Sequence, residues 1–282
     1  MLKLGVHVSI AGKIYKSIDR TVELGCNTMQ IFSRNPRQWR KTLLSDEDVE
    51  RFKKKVKKSN ISPVVIHIPY LLNLATVKKS FFKVTIKEFI ADLVEADRLE
   101  ADYLVTHMGS YKGGTEEGGL SRVIQALNKI LKETKEVKTK VLLENTSGSG
   151  HWLGYKFSHQ KIVLDGLNRP ESVGICLDTA HAWAAGYKIN EPRGLKSLLD
   201  EIDQEVGLER LKVIHLNDTQ EKLGSLRDRH HDIGTGEIGR KGFNLIVNHP
   251  KLREAAFILE TPKKRENEDK ENLEAVREIY KK

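Results

Sequence analysis

Five histidines and four carboxylates, spread from His67 to Glu260, are residue types that together bind divalent cations. His67, His107, Glu144, Asp178, His215 and Glu260 each close a short apolar segment, and His181, Asp228 and His230 follow behind two of those ends. Imidazole mixed with carboxylate, without thiolate, suits Zn²⁺ or Mn²⁺ at a hydrolytic site and is too rich in nitrogen for a Mg²⁺ or Ca²⁺ cage. Nine ligands exceed what one ion uses and two ions would leave side chains idle, whereas three ions sharing a bridging carboxylate would occupy all nine. Six positive charges against four carboxylates leave a field that a phosphodiester would fit. Any one of these histidines, taken alone, is more often a hydrogen-bonded structural residue; their joint occurrence carries the reading.

Positioning them requires a repeated element. Counting His7 and Gln30 as well, the polar residues that end apolar segments are 23, 37, 40, 37, 34, 37 and 45 positions apart. That interval holds one strand, one helix and two loops, and eight such units predict an α/β fold, a (β/α)8 or TIM barrel with its chemistry at the strand ends. Strands are expected near 2–8, 28–32, 63–68, 103–108, 140–145, 173–178, 212–217 and 256–260. Val64-Val65-Ile66 and Phe257-Ile258-Leu259 are continuous apolar runs, as expected of parallel strands covered on both faces. Helices are expected near 13–24, 46–58, 80–99, 120–135, 157–167, 192–205, 240–248 and 267–281. Ser45 reads as an N-cap, with Asp46, Glu47 and Asp48 in the first turn and Lys57 and Lys58 in the last. His181, three residues after Asp178, is expected to turn over the rim from the loop that follows.

The 282 residues contain no linker rich in proline or serine, so residues 1–282 are read as one barrel domain. No stretch is apolar enough to span a membrane, the start runs at once into a strand without a signal peptide, and Cys26 and Cys176 read as buried thiols of a cytoplasmic protein. The net charge of +9 suggests a polyanionic partner. Gly234-Thr235-Gly236-Glu237-Ile238-Gly239 fits the letters of a dinucleotide fingerprint but follows a polar run instead of an apolar strand. It reads as a turn, so no nucleotide cofactor is expected. His7 is expected to support the ligands from behind, and His151, His159, His231 and His249 to lie at the surface or behind the ligands.

Eight stretches bring the chain close to a known family. They are Gly5-Val6-His7-Val8-Ser9, Gln30-Ile31-Phe32, Tyr70-Leu71-Leu72-Asn73-Leu74, Leu143-Glu144-Asn145-Thr146, Asp178-Thr179-Ala180-His181, His215-Leu216-Asn217-Asp218, Asp228-Arg229-His230 and Leu259-Glu260-Thr261-Pro262. Together they resemble endonuclease IV, the zinc-dependent apurinic/apyrimidinic endonucleases of AP endonuclease family 2, over essentially the whole chain. The resemblance implies three Zn²⁺ ions, with Mn²⁺ admissible at one position. One ion would be held by His67, His107 and Glu144, a second by Glu144, Asp178, His215 and Glu260, and a third by His181, Asp228 and His230. It further implies a monomer acting on double-stranded DNA. Hydrolysis on the 5′ side of an abasic site would use a metal-bound hydroxide bridged with Glu144 and leave a 3′-hydroxyl and a 5′-deoxyribose phosphate. A 3′-phosphatase or 3′-repair diesterase activity is left open. Arg37, Tyr70 and Leu71 would contact DNA and fill the gap of the missing base. Ile68-Pro69 after His67 and Met108 after His107 depart from the family pattern. A sugar isomerase of the same barrel class would not explain Asp228-Arg229-His230, and a DNA-binding protein without activity would leave the ligands unexplained.

Overall fold

Eight short segments rich in Val, Ile and Leu pair in parallel because each is covered on both sides, by the lumen on one face and by helices on the other. They are β1 (Leu4–Val6), β2 (Met29–Phe32), β3 (Val64–His67), β4 (Tyr103–His107), β5 (Lys140–Glu144), β6 (Val173–Asp178), β7 (Leu211–His215) and β8 (Ala256–Leu259). The computed structural model describes residues 2–35, 44–263, 265 and 267–281, so Arg37 lies outside the described residues. Strand order is β1-β8-β7-β6-β5-β4-β3-β2, and a parallel bridge between His7 and Gln30 joins the two ends. The result is the expected TIM barrel.

The helices are α1 (Lys16–Glu23), α2 (Asp46–Ser59), α3 (Lys79–Arg98), α4 (Glu116–Glu133), α5 (Phe157–Asp165), α6 (Thr179–Ala184), α7 (Pro192–Glu205), α8 (Gly239–Val247) and α9 (Glu268–Ile279). Ser45 caps α2 as expected, its side chain accepting from the Asp48 amide at 3.1 Å, and Asn60 ends it in the left-handed region at φ 56°. α4 starts four residues earlier than its sequence suggests. Thr115 caps it by accepting from Gly118, and Gly119 sits where a Cβ would come within 2.7 Å of Tyr111. Gly119 marks a close approach between helix and loop. No described helix is long and apolar enough to cross a membrane.

Side chains two apart on a strand share a face. Val65, Val105, Leu142, Cys176, Val213 and Ile258 form a dry layer inside the barrel, with Tyr103 packed against it. Two residues further along the same chain segments come His67, His107, Glu144, Asp178, His215 and Glu260. Each polar residue therefore stands directly above an apolar one, and the six converge at the C-terminal mouth. Ile66, Leu104, Leu143, Leu177, Ile214 and Leu259 point the other way, into the core shared with the helices.

Candidate metal centre

Glu144 is the hub of the mouth. It is 1% exposed, and its carboxylate lies 3.2 Å from His67 Nε2, 2.9 Å from His107 Nε2, 3.0 Å from His215 Nδ1 and 3.4 Å from His181 Nδ1. Burial alone would raise its pKa; His107 and His215, with hydrogen bonds from His107 and His181, more than offset this and hold it well below the usual carboxylate range. Glu260 behaves alike: burial opposes ionisation, but His215 and His7 keep its pKa depressed.

Three groups of side chains have ligand atoms mutually within 4.8 Å: His67, His107 and Glu144; Glu144, Asp178, His215 and Glu260; and Asp178, His181 and His230. Asp228 joins the last from its loop, 3.2 Å from His181 Nε2 and 3.4 Å from His230 Nε2. Burial would raise the Asp228 pKa, but the neighbouring imidazoles bring it down to about 2. All nine residues singled out from the sequence thus meet at one mouth, and Asp178 approaches His230 as well as the Glu260 group.

His181 corrects its expected setting. It lies within α6, a helix that Asp178 itself starts, because the Asp178 carboxylate accepts from the His181 amide at 2.7 Å. One aspartate therefore caps the helix and aims the imidazole. His159 also differs from a surface reading, being buried and accepting from the Gly154 amide at 3.0 Å. His7 does sit behind the ligands, its Nδ1 3.5 Å from Glu260.

The donor chemistry fits cations. A carbonyl oxygen only accepts, so the ring nitrogen facing it must carry the proton. The Nδ1 atoms of His67, His181 and His230 face the backbone carbonyls of Ile68, Asn145 and Glu260 at 2.7, 2.9 and 3.2 Å. Each Nε2 is left as the atom turned to the carboxylates and offered to a cation, and the buried His230 Nε2 has no hydrogen-bond partner. Imidazoles oriented by their outer nitrogen are what metal coordination requires.

Residues beside the ligands complete the arrangement, and only their adjacency in sequence could have marked them. Asn145 accepts from the Asp178 amide at 2.6 Å, and Asn217 donates to the Asp178 carboxylate at 2.6 Å while accepting from the Glu260 amide at 2.9 Å. Asp218 accepts from the amides of Thr219, Gly234, Gly236, Ile238 and Gly239. The glycine-rich segment is indeed a turn, folded around one carboxylate beside the loop that carries Asp228 and His230. Tyr70 is 62% exposed at the rim, its ring edge-on to Phe32 at 5.4 Å and 5.7 Å from His67; Leu71 beside it is half-buried.

Fold and site together define a β/α barrel with three contiguous His/carboxylate groups at its C-terminal mouth. The sequence profile of the family described as xylose isomerase-like TIM barrel matches residues 18–281. The chain is 42% identical over 262 residues to a probable endonuclease 4 of Halothermothrix orenii, covering 93% of this chain and 94% of that protein. It is 40% identical over 279 residues to a probable endonuclease 4 of Methanoculleus marisnigri, covering 99% of both. The crystal structure of endonuclease IV from Thermus thermophilus superposes with a TM-score of 0.87 at 34% identity, covering 98% of each chain. The chain belongs to the endonuclease IV family of enzymes.

Proposed function

We propose that this protein is a metal-dependent DNA repair endonuclease that hydrolyses the phosphodiester on the 5′ side of an abasic site, leaving a 3′-hydroxyl and a 5′-deoxyribose phosphate. The observation that carries the reading is the convergence of four carboxylates and five imidazoles into three contiguous groups on one barrel mouth, in a chain from a family of endonucleases. Three Zn²⁺ ions, one replaceable by Mn²⁺, would polarise the phosphate, lower the pKa of water and neutralise charge on the departing oxygen.

The protein's own part is placement. Glu144 belongs to two groups and holds them in register, and Asp178 likewise belongs to two. His181, Asp228 and His230 form the third position, fixed through the Asp178 cap and the turn around Asp218. A missing base offers no hydrogen bonds to read, so recognition rests on filling the gap and on bending the duplex. Tyr70 and Leu71 suit that role at the rim, and Arg37 follows the buried Arg34 in sequence. The substrate is double-stranded DNA, bound by a monomer.

Glu144→Gln tests the reading. The metal-loaded variant should bind a duplex carrying one abasic analogue nearly as well as the parent and nick it slower by orders of magnitude, as chelator should slow the parent. Near-normal nicking by a variant with full metal content would overturn the assignment.

A further inference from the structure

Gln30 ends no ion pair and is no metal ligand, yet it is fully buried directly behind the cluster. Its Nε2 lies 2.6 Å from Glu260 Oε1 and 2.9 Å from His7 Nδ1, and its Oε1 lies 2.8 Å from His215 Nε2. A carboxylate only accepts, so the end facing Glu260 is the amide NH₂, which fixes the other end as the oxygen. That oxygen accepts only, so His215 carries a proton on Nε2 and points Nδ1, the nitrogen left to bind a cation, toward Glu144 Oε1 at 3.0 Å and Glu260 Oε2 at 3.3 Å. The same amide engages Oε1 of Glu260 and leaves Oε2 to the cluster. The second amide hydrogen goes to His7 Nδ1.

His67, His181 and His230 are oriented by backbone carbonyls, and all three direct Nε2 inward. His215 is turned the other way round, and its outer nitrogen is held by a side chain. We propose that Gln30 is a positioning residue that selects Nδ1 of His215 and Oε2 of Glu260 as the atoms offered to the cation of the Glu144, Asp178, His215 and Glu260 group. This rests on the metal-centre reading above and adds to it a residue outside the ligand set. Its position, one residue past the start of β2 and bridged to His7 across the β1/β2 seam, lets one amide tie together β1, β2, β7 and β8 where the barrel closes.

Two measurements test it. In the zinc-loaded parent with ¹⁵N-labelled histidine, NMR should report His215 protonated on Nε2 and metal-bound through Nδ1, and His67, His181 and His230 in the opposite sense. Gln30→Met keeps the length of the side chain and removes all three hydrogen bonds. In a chelator competition it should release one ion per chain at about 10–100-fold lower chelator strength than the parent, with the remaining ions held as before, the usual cost of losing a residue behind a metal ligand. The visible spectrum of the Co²⁺-loaded variant should change with it, a readout that a packing role alone would not move. Parent His215 coordinated through Nε2, or a variant that retains every ion at parental affinity, would overturn the role of Gln30 and leave the endonuclease reading intact. A parent that binds no ions would overturn both, and a variant that fails to fold still leaves the tautomer measurement to decide.

Discussion

Lowering the pH should strip cations from the mouth more steeply than the loss of one proton allows. In the metal-free protein burial disfavours charging His181, but Asp178, Asp228 and Glu144 hold its pKa well above 6.5. Burial likewise opposes charging His215, and the Glu260 and Glu144 carboxylates beside it outweigh this. Both imidazoles therefore hold a second proton to higher pH than a free histidine does, and each coordinates only after giving it up. Asp228, Glu144 and Glu260 add nothing to this slope between pH 5 and 7, because Asp228 titrates at about 2 and the two glutamates are held low as well. One proton for each of the two ions these imidazoles would hold, at about 1.4 kcal/mol per pH unit each, gives an overall constant for loading both that rises roughly 100-fold, or about 2.7 kcal/mol, per unit of pH below the two raised values. Zinc titrations against a chromophoric chelator across that range, with calorimetry in buffers of different ionisation enthalpy, count the protons directly. A slope near zero, or release of less than one proton on full loading, would refute the reasoning. For the metal-free protein the sign is fixed by the same shifts. The imidazole contribution to stability is full below about 6.5 and lost as pH rises through the folded values; the carboxylate contribution is full above about 4.5 and lost as pH falls.

Asp92 is fully buried and grips the buried Arg34 with two parallel bonds of 2.9 and 2.8 Å. Asp92→Ala should cost about 3–5 kcal/mol, and Arg34→Met with Asp92→Leu should recover most of it; thermal melts showing no loss in the single variant would contradict this. Asp218→Asn replaces an acceptor oxygen with a donor against the gathered amides, so about 1–3 kcal/mol of stability should be lost, with faster amide exchange at Gly234, Gly236 and Ile238. Tyr70→Ala should leave the melting temperature nearly unchanged, since the ring is 62% exposed. It should weaken binding of an abasic duplex by about 1–3 kcal/mol, and unchanged binding would end the gap-filling role.

The barrel was legible because its strands repeat a simple grammar: an apolar lumen residue, an outward apolar residue, then a polar residue at the mouth, as in Val65-Ile66-His67 and Val213-Ile214-His215. Period-two alternation turns that spelling into geometry without further information. α6 was hidden because a six-residue helix carries too little periodicity, and its start depends on Asp178, whose side chain already had a reading as a ligand. Asn145, Asn217 and Asp218 act through hydrogen bonds to backbone groups far away in sequence, such as Asn217 to the Glu260 amide, and residue type alone does not announce those. Gln30 reads from the sequence as a polar strand end, although β2 runs on to Phe32; an amide binds metal poorly, and its use appears only when β7 and β8 bring His215 and Glu260 against it.

Zinc-edge anomalous diffraction from crystals of the zinc-loaded protein would locate each ion at the barrel mouth. Three peaks are expected, one beside His67, His107 and Glu144, one among Glu144, Asp178, His215 and Glu260, and one beside His181, Asp228 and His230. A mouth without metal in protein saturated with zinc, or peaks coordinated by other residues, would contradict this arrangement.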